Sequence, residues 1–164
     1  MSSCDVQMLR GKDGEFVIKE FCVFMMSPNS EMHAVASFLP PYNLDQLPDH
    51  IARQNNFVTS RVHGLKWDDG LIPYTDHKQL IVEMTQGFDK LHVKGHEKML
   101  LIQKWIPHCK VINVEELGCP PFKHLPVLWA QCNFDVHASK PSLTCAARNA
   151  KRIAMWVQFH RASS

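Results

Sequence analysis

Glu15-Phe-Val-Ile-Lys-Glu-Phe-Cys-Val-Phe-Met-Met26 is nearly all apolar, the pattern of a strand covered on both faces. Only Lys19 and Glu20 interrupt it. Toward lower numbers, Gly11-Lys-Asp-Gly14 is a hairpin signal that joins this run to a first extended run over residues 4–10. Toward higher numbers, Ser27-Pro-Asn-Ser30 is a turn, and residues 32–39 form a third strand ended by Pro40-Pro41. Three consecutive strands on short turns predict an antiparallel meander.

From residue 44 the spacing becomes helical, with Pro48-Asp49 as a start signal, Ile51, Phe57, Val58 and Val62 as inner positions, and Gly64 as the stop. Residues 67–74 read as a loop carrying Trp67 and Tyr74. Thr75 or Asp76 then caps a helix with Leu80, Ile81 and Met84 inward, closed by Gly87. A short strand over 90–94, a helix over 96–106 with Met99, Leu100, Ile102 and Trp105 on its apolar side, and a strand over 110–114 follow. Gly118-Cys-Pro-Pro121 makes an irregular exit. The last helix, over 142–160, places Leu143, Ala146, Ala150, Ile153 and Val157 on one stripe. Meander first, then helices alternating with strands, predicts an α/β, ribonuclease H-like fold: a five-stranded mixed sheet, three strands in the meander and two parallel, flanked by helices. The 164 residues are expected to form one domain over 1–164.

The formal net charge of +2 is too small to imply a partner by itself. Met1-Ser-Ser-Cys-Asp is polar and no apolar run approaches a membrane span, so the expectation is a protein of the cytoplasm or nucleus with no membrane partner. There the six cysteines are expected as thiols or metal ligands and not as a disulfide framework, with Cys22 a small core residue.

Ribonuclease H-like enzymes carry acidic residues on a first, central strand and a last helix, where carboxylates hold two divalent ions for phosphoryl transfer. Taken as that central strand, residues 15–26 offer only Glu20, with Ile18 where an Asp belongs. On the last helix Asn149 and Thr144-Cys145 stand where an Asp and a His belong. Neutral amides and thiols hold hard Mg²⁺ poorly, so conventional two-metal exonuclease chemistry is not expected and no catalytic residue is assigned. Glu20 in an apolar strand needs a partner. One reading is a Lys19 or arginine contact at the strand's end; the other is a metal, with Glu20, Cys132, His137 and Cys145 as an O/S/N/S set of the kind that suits tetrahedral zinc.

Through Phe16-Val-Ile-Lys-Glu20, Leu91-His-Val-Lys-Gly95, Val111-Ile-Asn-Val-Glu-Glu-Leu117, Cys132 and Cys145-Ala-Ala-Arg-Asn-Ala-Lys-Arg-Ile-Ala154, the chain resembles the Maelstrom domain. That family is a ribonuclease H-like fold related to DEDD-type exonucleases that has lost the acidic quartet and carries a Glu-Cys-His-Cys zinc set. The resemblance implies Zn²⁺, binding of single-stranded RNA or DNA, reported RNA cleavage, and a part in small-RNA (piRNA) silencing of transposons. It carries over to Glu20, Cys132 and Cys145 directly. The family's Cys-x-x-His spacing falls on Asp135, with His137 two residues later; the gap to Cys145 is also two residues longer, which favours an insertion and His137 as the ligand.

Lys94, Lys98, Arg148, Lys151 and Arg152 are the expected phosphate contacts, with Trp67, Tyr74 or Trp156 as stacking surfaces. A solvated basic helix face is the plainer reading of any one of them. His92, His96 and His108 are expected at the surface. Two rival functions remain open: a nuclease working through unconventional residues such as Asp68, Asp69, Glu97 or His137, and a scaffold for protein partners.

Overall fold

A computed structural model describes residues 1–132, 134–140 and 142–162, apart from the side chains of Asp135, Ala138, Arg161 and Ala162. Strands β1 (Ser2–Arg10), β2 (Phe16–Ser27) and β3 (Ser30–Ser37) form the expected antiparallel meander, and β4 (Lys90–Val93) and β5 (Lys110–Asn113) run parallel to β1. The strand order β3-β2-β1-β4-β5 is the order that a ribonuclease H-like sheet requires. The central strand is therefore β1 and not β2, which corrects the placement of Glu20 on the middle strand. The middle strand carries instead Asp5 and Gln7, both buried.

Helices α2 (His77–Thr85) and α3 (His96–Trp105) cover one face of the sheet. Ile81, Ile102 and Ile106 pack there against Cys4, Val6, Ile18, Phe21 and Val23. Helix α5 (Ala146–Ala162) covers the other face, on β1 and β2. Its alanines at 146, 147, 150 and 154 are fully buried against Cys22 and Phe24. Their small side chains bring the helix backbone so close that the Ser3 hydroxyl on β1 donates to the Ala150 carbonyl at 2.5 Å. The stripe read from the sequence, Leu143, Ala146, Ala150, Ile153 and Val157, is buried throughout.

A β-bulge sets which side chains reach α5. Gln7 pairs with Glu20 and Met8 with Ile18, leaving Lys19 without a partner on β1. The extra residue puts Val17 and Glu20 on the same side of the sheet although they are three apart, which uninterrupted alternation forbids. Lys19 leaves the sheet in its own direction. Its ammonium, fully buried, donates to the carbonyls of Phe38, Trp67 and Asp69 at 2.8, 2.6 and 2.6 Å. The adjacent Lys19 and Glu20 are thus not partners, and the reading of Glu20 as a Lys19 contact is set aside.

Helix α1 (Asp49–Val58) begins at the expected Pro48-Asp49 and runs on as a π-helical turn over Thr59–His63, ended by Gly64 at φ 74°. Two inner positions expected there are outward. Phe57 is 64% exposed, because at 3.6 residues per turn it lies about 120° around the helix from Ile51. The wider π turn shifts the phase, so His63 and not Val62 faces the sheet. Leu100 is likewise exposed, on the side of α3 opposite Ile102.

Trp67 is core, its indole N–H donating to the Tyr42 carbonyl. Tyr74 stacks on His77, and Trp156, half-buried, on His160. None of these three is an open base platform. His96 and His108 are exposed as expected, whereas His92 is buried on β4 with Nδ1 3.0 Å from the Ser2 carbonyl.

Replacing Lys19 with methionine removes all three donors while keeping the apolar stem. The expected loss is about 2–4 kcal/mol of stability, read as a lower denaturant midpoint at unchanged slope in urea unfolding.

Candidate metal centre

Glu20, Cys132, His137 and Cys145 come together, one ligand atom from each lying within 4.8 Å of all the others. Four separate elements deliver them. Glu20 stands on β2, aimed at α5 by the bulge. Cys145 precedes the first residue of α5 and its carbonyl accepts the Asn149 N–H at 2.9 Å, so it is the helix N-cap. Cys132 ends an irregular segment, and His137 lies on the single turn of α4 (Asp135–Ser139).

The start of α5 explains why an acidic side chain and a thiol gather there. The first N–H groups of a helix lack internal acceptors and carry its positive dipole end. Glu20 Oε1 accepts the Ala146 N–H at 2.7 Å. Its other oxygen, Oε2, accepts from the Cys132 thiol at 3.0 Å, and Cys132 Sγ is also 3.0 Å from His137 Nδ1. Glu20 Oε2 and His137 Nδ1 are 3.9 Å apart.

The segment that carries His137 is held by the other end of α1. The last carbonyls of a helix lack internal donors. Val62 O accepts the Thr144 N–H, and His63 O accepts from His137 Nε2, both at 2.6 Å. A carbonyl can only accept, so Nε2 of His137 carries a proton, and Nδ1 is the nitrogen turned to the cluster. This is the outer-shell arrangement that fixes a ligating imidazole. His63 is fixed in turn, its Nε2 2.9 Å from the Met8 carbonyl and its Nδ1 accepting the Leu65 N–H at 3.0 Å. Burial pushes its pKa down to about 4, so it is neutral. Gly64 is required beside it: its φ is positive, and a Cβ there would lie 2.7 Å from Leu143 and 3.2 Å from Val136. The Arg148 guanidinium closes the arrangement by donating to the His137 carbonyl.

Electrostatics in the cluster are tightly linked. Burial and the nearby Cys145 push Glu20 up to about 7. The hydrogen bond from Cys132, opposed by burial and assisted by His137, pulls Cys145 down to about 4. Cys132 is pushed up by that same bond, by burial and by Glu20. For His137 burial works against the charged ring, but Cys145 and Glu20 outweigh it and the net shift is upward. Cys145, at the helix start, is thus the group of the four that is driven toward its anion.

These four side chains could hold a metal ion. A tetrahedral ion bound to sulfur and nitrogen separates those ligand atoms by about 3.5 Å; Cys132 Sγ and His137 Nδ1, at 3.0 Å, lie somewhat closer than that. In this group the nitrogen ligand is His137; the alternative, Asp135, has its side chain outside the described residues. All six cysteines are free thiols.

The middle strand carries a second polar cluster. Asp5 is fully buried, with Lys98 Nζ 2.7 Å from Oδ1 and the Gln7 and Asn149 amides each 2.9 Å from Oδ2. Where a two-metal nuclease needs several carboxylates, this position holds one, neutralised by a lysine. Of the unconventional candidates, His137 is in the metal cluster, Asp68 and Glu97 are exposed, and Asp69 accepts the Lys66 N–H.

The five expected phosphate contacts all have partners within the fold. Lys94 pairs with Glu115 at 2.8 Å, Lys98 with Asp5, Lys151 with Glu31 at 3.0 Å. Arg148 binds the His137 carbonyl, and Arg152 donates to the carbonyls of Phe122, Leu125 and Pro126 with its guanidinium over the Phe122 ring. Arg148 and Arg152 nevertheless line a groove of about 330 Å³ along α5, together with Lys123, Leu128, Cys145 and Asn149. Next to Leu128 stands Trp129, 77% exposed. Lys123, Trp129, His63, Asp5 and Gln7 were not legible as site residues; Trp129 sits in a segment without periodicity, and its one signal is a tryptophan among Pro, Val and Leu in a stretch with no helix or strand pattern.

No protein-family model, curated protein or solved structure matches the chain. Among the described residues no helix is long and apolar enough to cross a membrane.

Glu20→Ala removes the acceptor for the Ala146 N–H whether or not a metal is bound. Chelator-treated protein carrying it is expected to lose about 1–3 kcal/mol, seen as a lower melting temperature than chelator-treated native protein.

Proposed function

We propose that this chain is a zinc-stabilised, Maelstrom-like protein that binds single-stranded nucleic acid, RNA by preference, in the groove beside its last helix. The observation that carries the reading is that Cys145 belongs both to the four-ligand cluster and to the wall of the basic groove. Two sulfurs, an imidazole and a carboxylate form a borderline-soft set that favours zinc over magnesium or calcium. All four ligands come from the protein, so the ion would serve as a structural tie, fixing the start of α5 and the segment before it and with them one side of the groove. Lys123, Arg148 and Arg152 supply positive charge to a phosphate backbone there. Trp129 offers an open ring for a base, in place of the buried aromatics.

Single-carboxylate chemistry on the middle strand supports binding over two-metal cleavage. The resemblance to the Maelstrom domain supports an intracellular setting, cytoplasmic or nuclear, and small-RNA silencing of transposons as the process served.

Protein purified without chelator is expected to contain one zinc per chain by elemental measurement, falling several-fold in Cys145→Ser; a metal-free native protein would remove the central premise. Trp129→Ala is expected to weaken a labelled single-stranded RNA by roughly 5- to 100-fold, the range for one stacked base, in fluorescence anisotropy at fixed salt. Incubation of the same labelled strand tests the nuclease alternative: Glu20-dependent cleavage would replace binding as the function, and no retention at low salt would favour a protein partner.

A further inference from the structure

Asp5 is a fully buried carboxylate on the middle strand, and three elements converge on it: Gln7 from β1, Lys98 from α3 and Asn149 from α5. Two of these partners are neutral amides. Lys98 is the one cationic side chain that the described residues bring to the carboxylate. A buried carboxylate without a cation is strongly disfavoured, and here the cation is the Lys98 ammonium at 2.7 Å. Lys98 reaches it from the outside, with 23% of its side chain exposed, and Asn149 borders the open groove along α5.

We propose that the Lys98 ammonium is a tethered cation that fills a divalent-ion position on the middle strand and excludes a free ion from it. Gln7 and Asn149 each carry a carbonyl oxygen on the amide that now faces Asp5, so a half-turn of either amide adds an oxygen to the carboxylate. With the ammonium gone, the set is all oxygen, the preference of hard ions such as Mg²⁺ and Mn²⁺. In the native chain the position is closed, and no step at Asp5 responds to added divalent metal. The sulfur and imidazole ligands near Glu20 take no part, so this inference stands or falls apart from the zinc reading.

The test uses the full chain and MnCl₂, followed by electron paramagnetic resonance of free Mn²⁺ and by thermal melting. Native protein and Asp5→Asn are expected to show the same Mn²⁺ binding. Lys98→Ala is expected to melt lower without metal and to gain one Mn²⁺ site at least about tenfold tighter than any in native protein, with a melting temperature that Mn²⁺ raises by mass action. That gain should vanish in Lys98→Ala/Asp5→Asn. Lys98→Gln, one atom shorter than lysine but uncharged and still carrying an N–H donor, serves if Lys98→Ala does not fold. The proposal is overturned if the neutral variants gain no Asp5-dependent Mn²⁺ site, or if native protein already has an Mn²⁺ site that Asp5→Asn removes; the latter comparison needs no lysine variant.

Discussion

The carboxylate of Glu20 joins the sheet to its last helix. One oxygen receives the first N–H of α5 and the other faces Cys132 and His137. The helix start needs an acceptor and the Cys132 thiol needs one too, and the two oxygens of a single buried carboxyl group serve both. Placing that acid depends on the bulge at Lys19, which breaks the alternation of β2 and frees Lys19 to anchor the loop at Trp67 by two carbonyls and the exit of β3 by a third, that of Phe38. Two adjacent charged residues in an apolar strand thus hold two different layers of the fold.

Most of the architecture was legible because it follows from periodicity. The meander, the crossover helices and the alanine stripe of α5 all have signals of period two or 3.6 with clear breakers between them. Ile51, Ile81 and Ile153 were recognisable as core for that reason. The failures are at places where period is broken. A π turn moved His63 inward and Val62 outward, and no local residue pattern announces such a turn. The bulge that directs Glu20 arises from pairing with β1, so it is not visible in β2 alone. Likewise the middle strand was mistaken for β2, since β2 has the more apolar run while β1 carries Asp5 and Gln7 at positions that only the pairing reveals as central.

The four-ligand cluster was readable from side-chain chemistry and from the proximity of the last helix to the meander, but its support was not. His137 is oriented by the carbonyl of His63, a contact between backbone and ring across 74 residues, which side-chain types cannot signal. The basic residues have partners within the fold that the sequence does not show. Arg148, Arg152, Lys94 and Lys98 look from the sequence like a surface for phosphates, yet each is drawn onto a carbonyl or carboxylate of the fold. A positive residue near a groove has first to satisfy the negative groups already beneath it.

The wide turn at the end of α1 has a consequence for the order of events during folding. It captures the Thr144 and His137 segment, and Glu20 meets Ala146 across 126 residues of chain. Loops of that length close late, after local helices and the meander have formed. During synthesis the growing chain would hold Glu20 and the carbonyls of Val62 and His63 ready well before their partners leave the ribosome. A metal captured at this cluster would therefore report that the whole ladder of elements is in place, acting as a final latch on a nearly finished molecule and not as a seed for it.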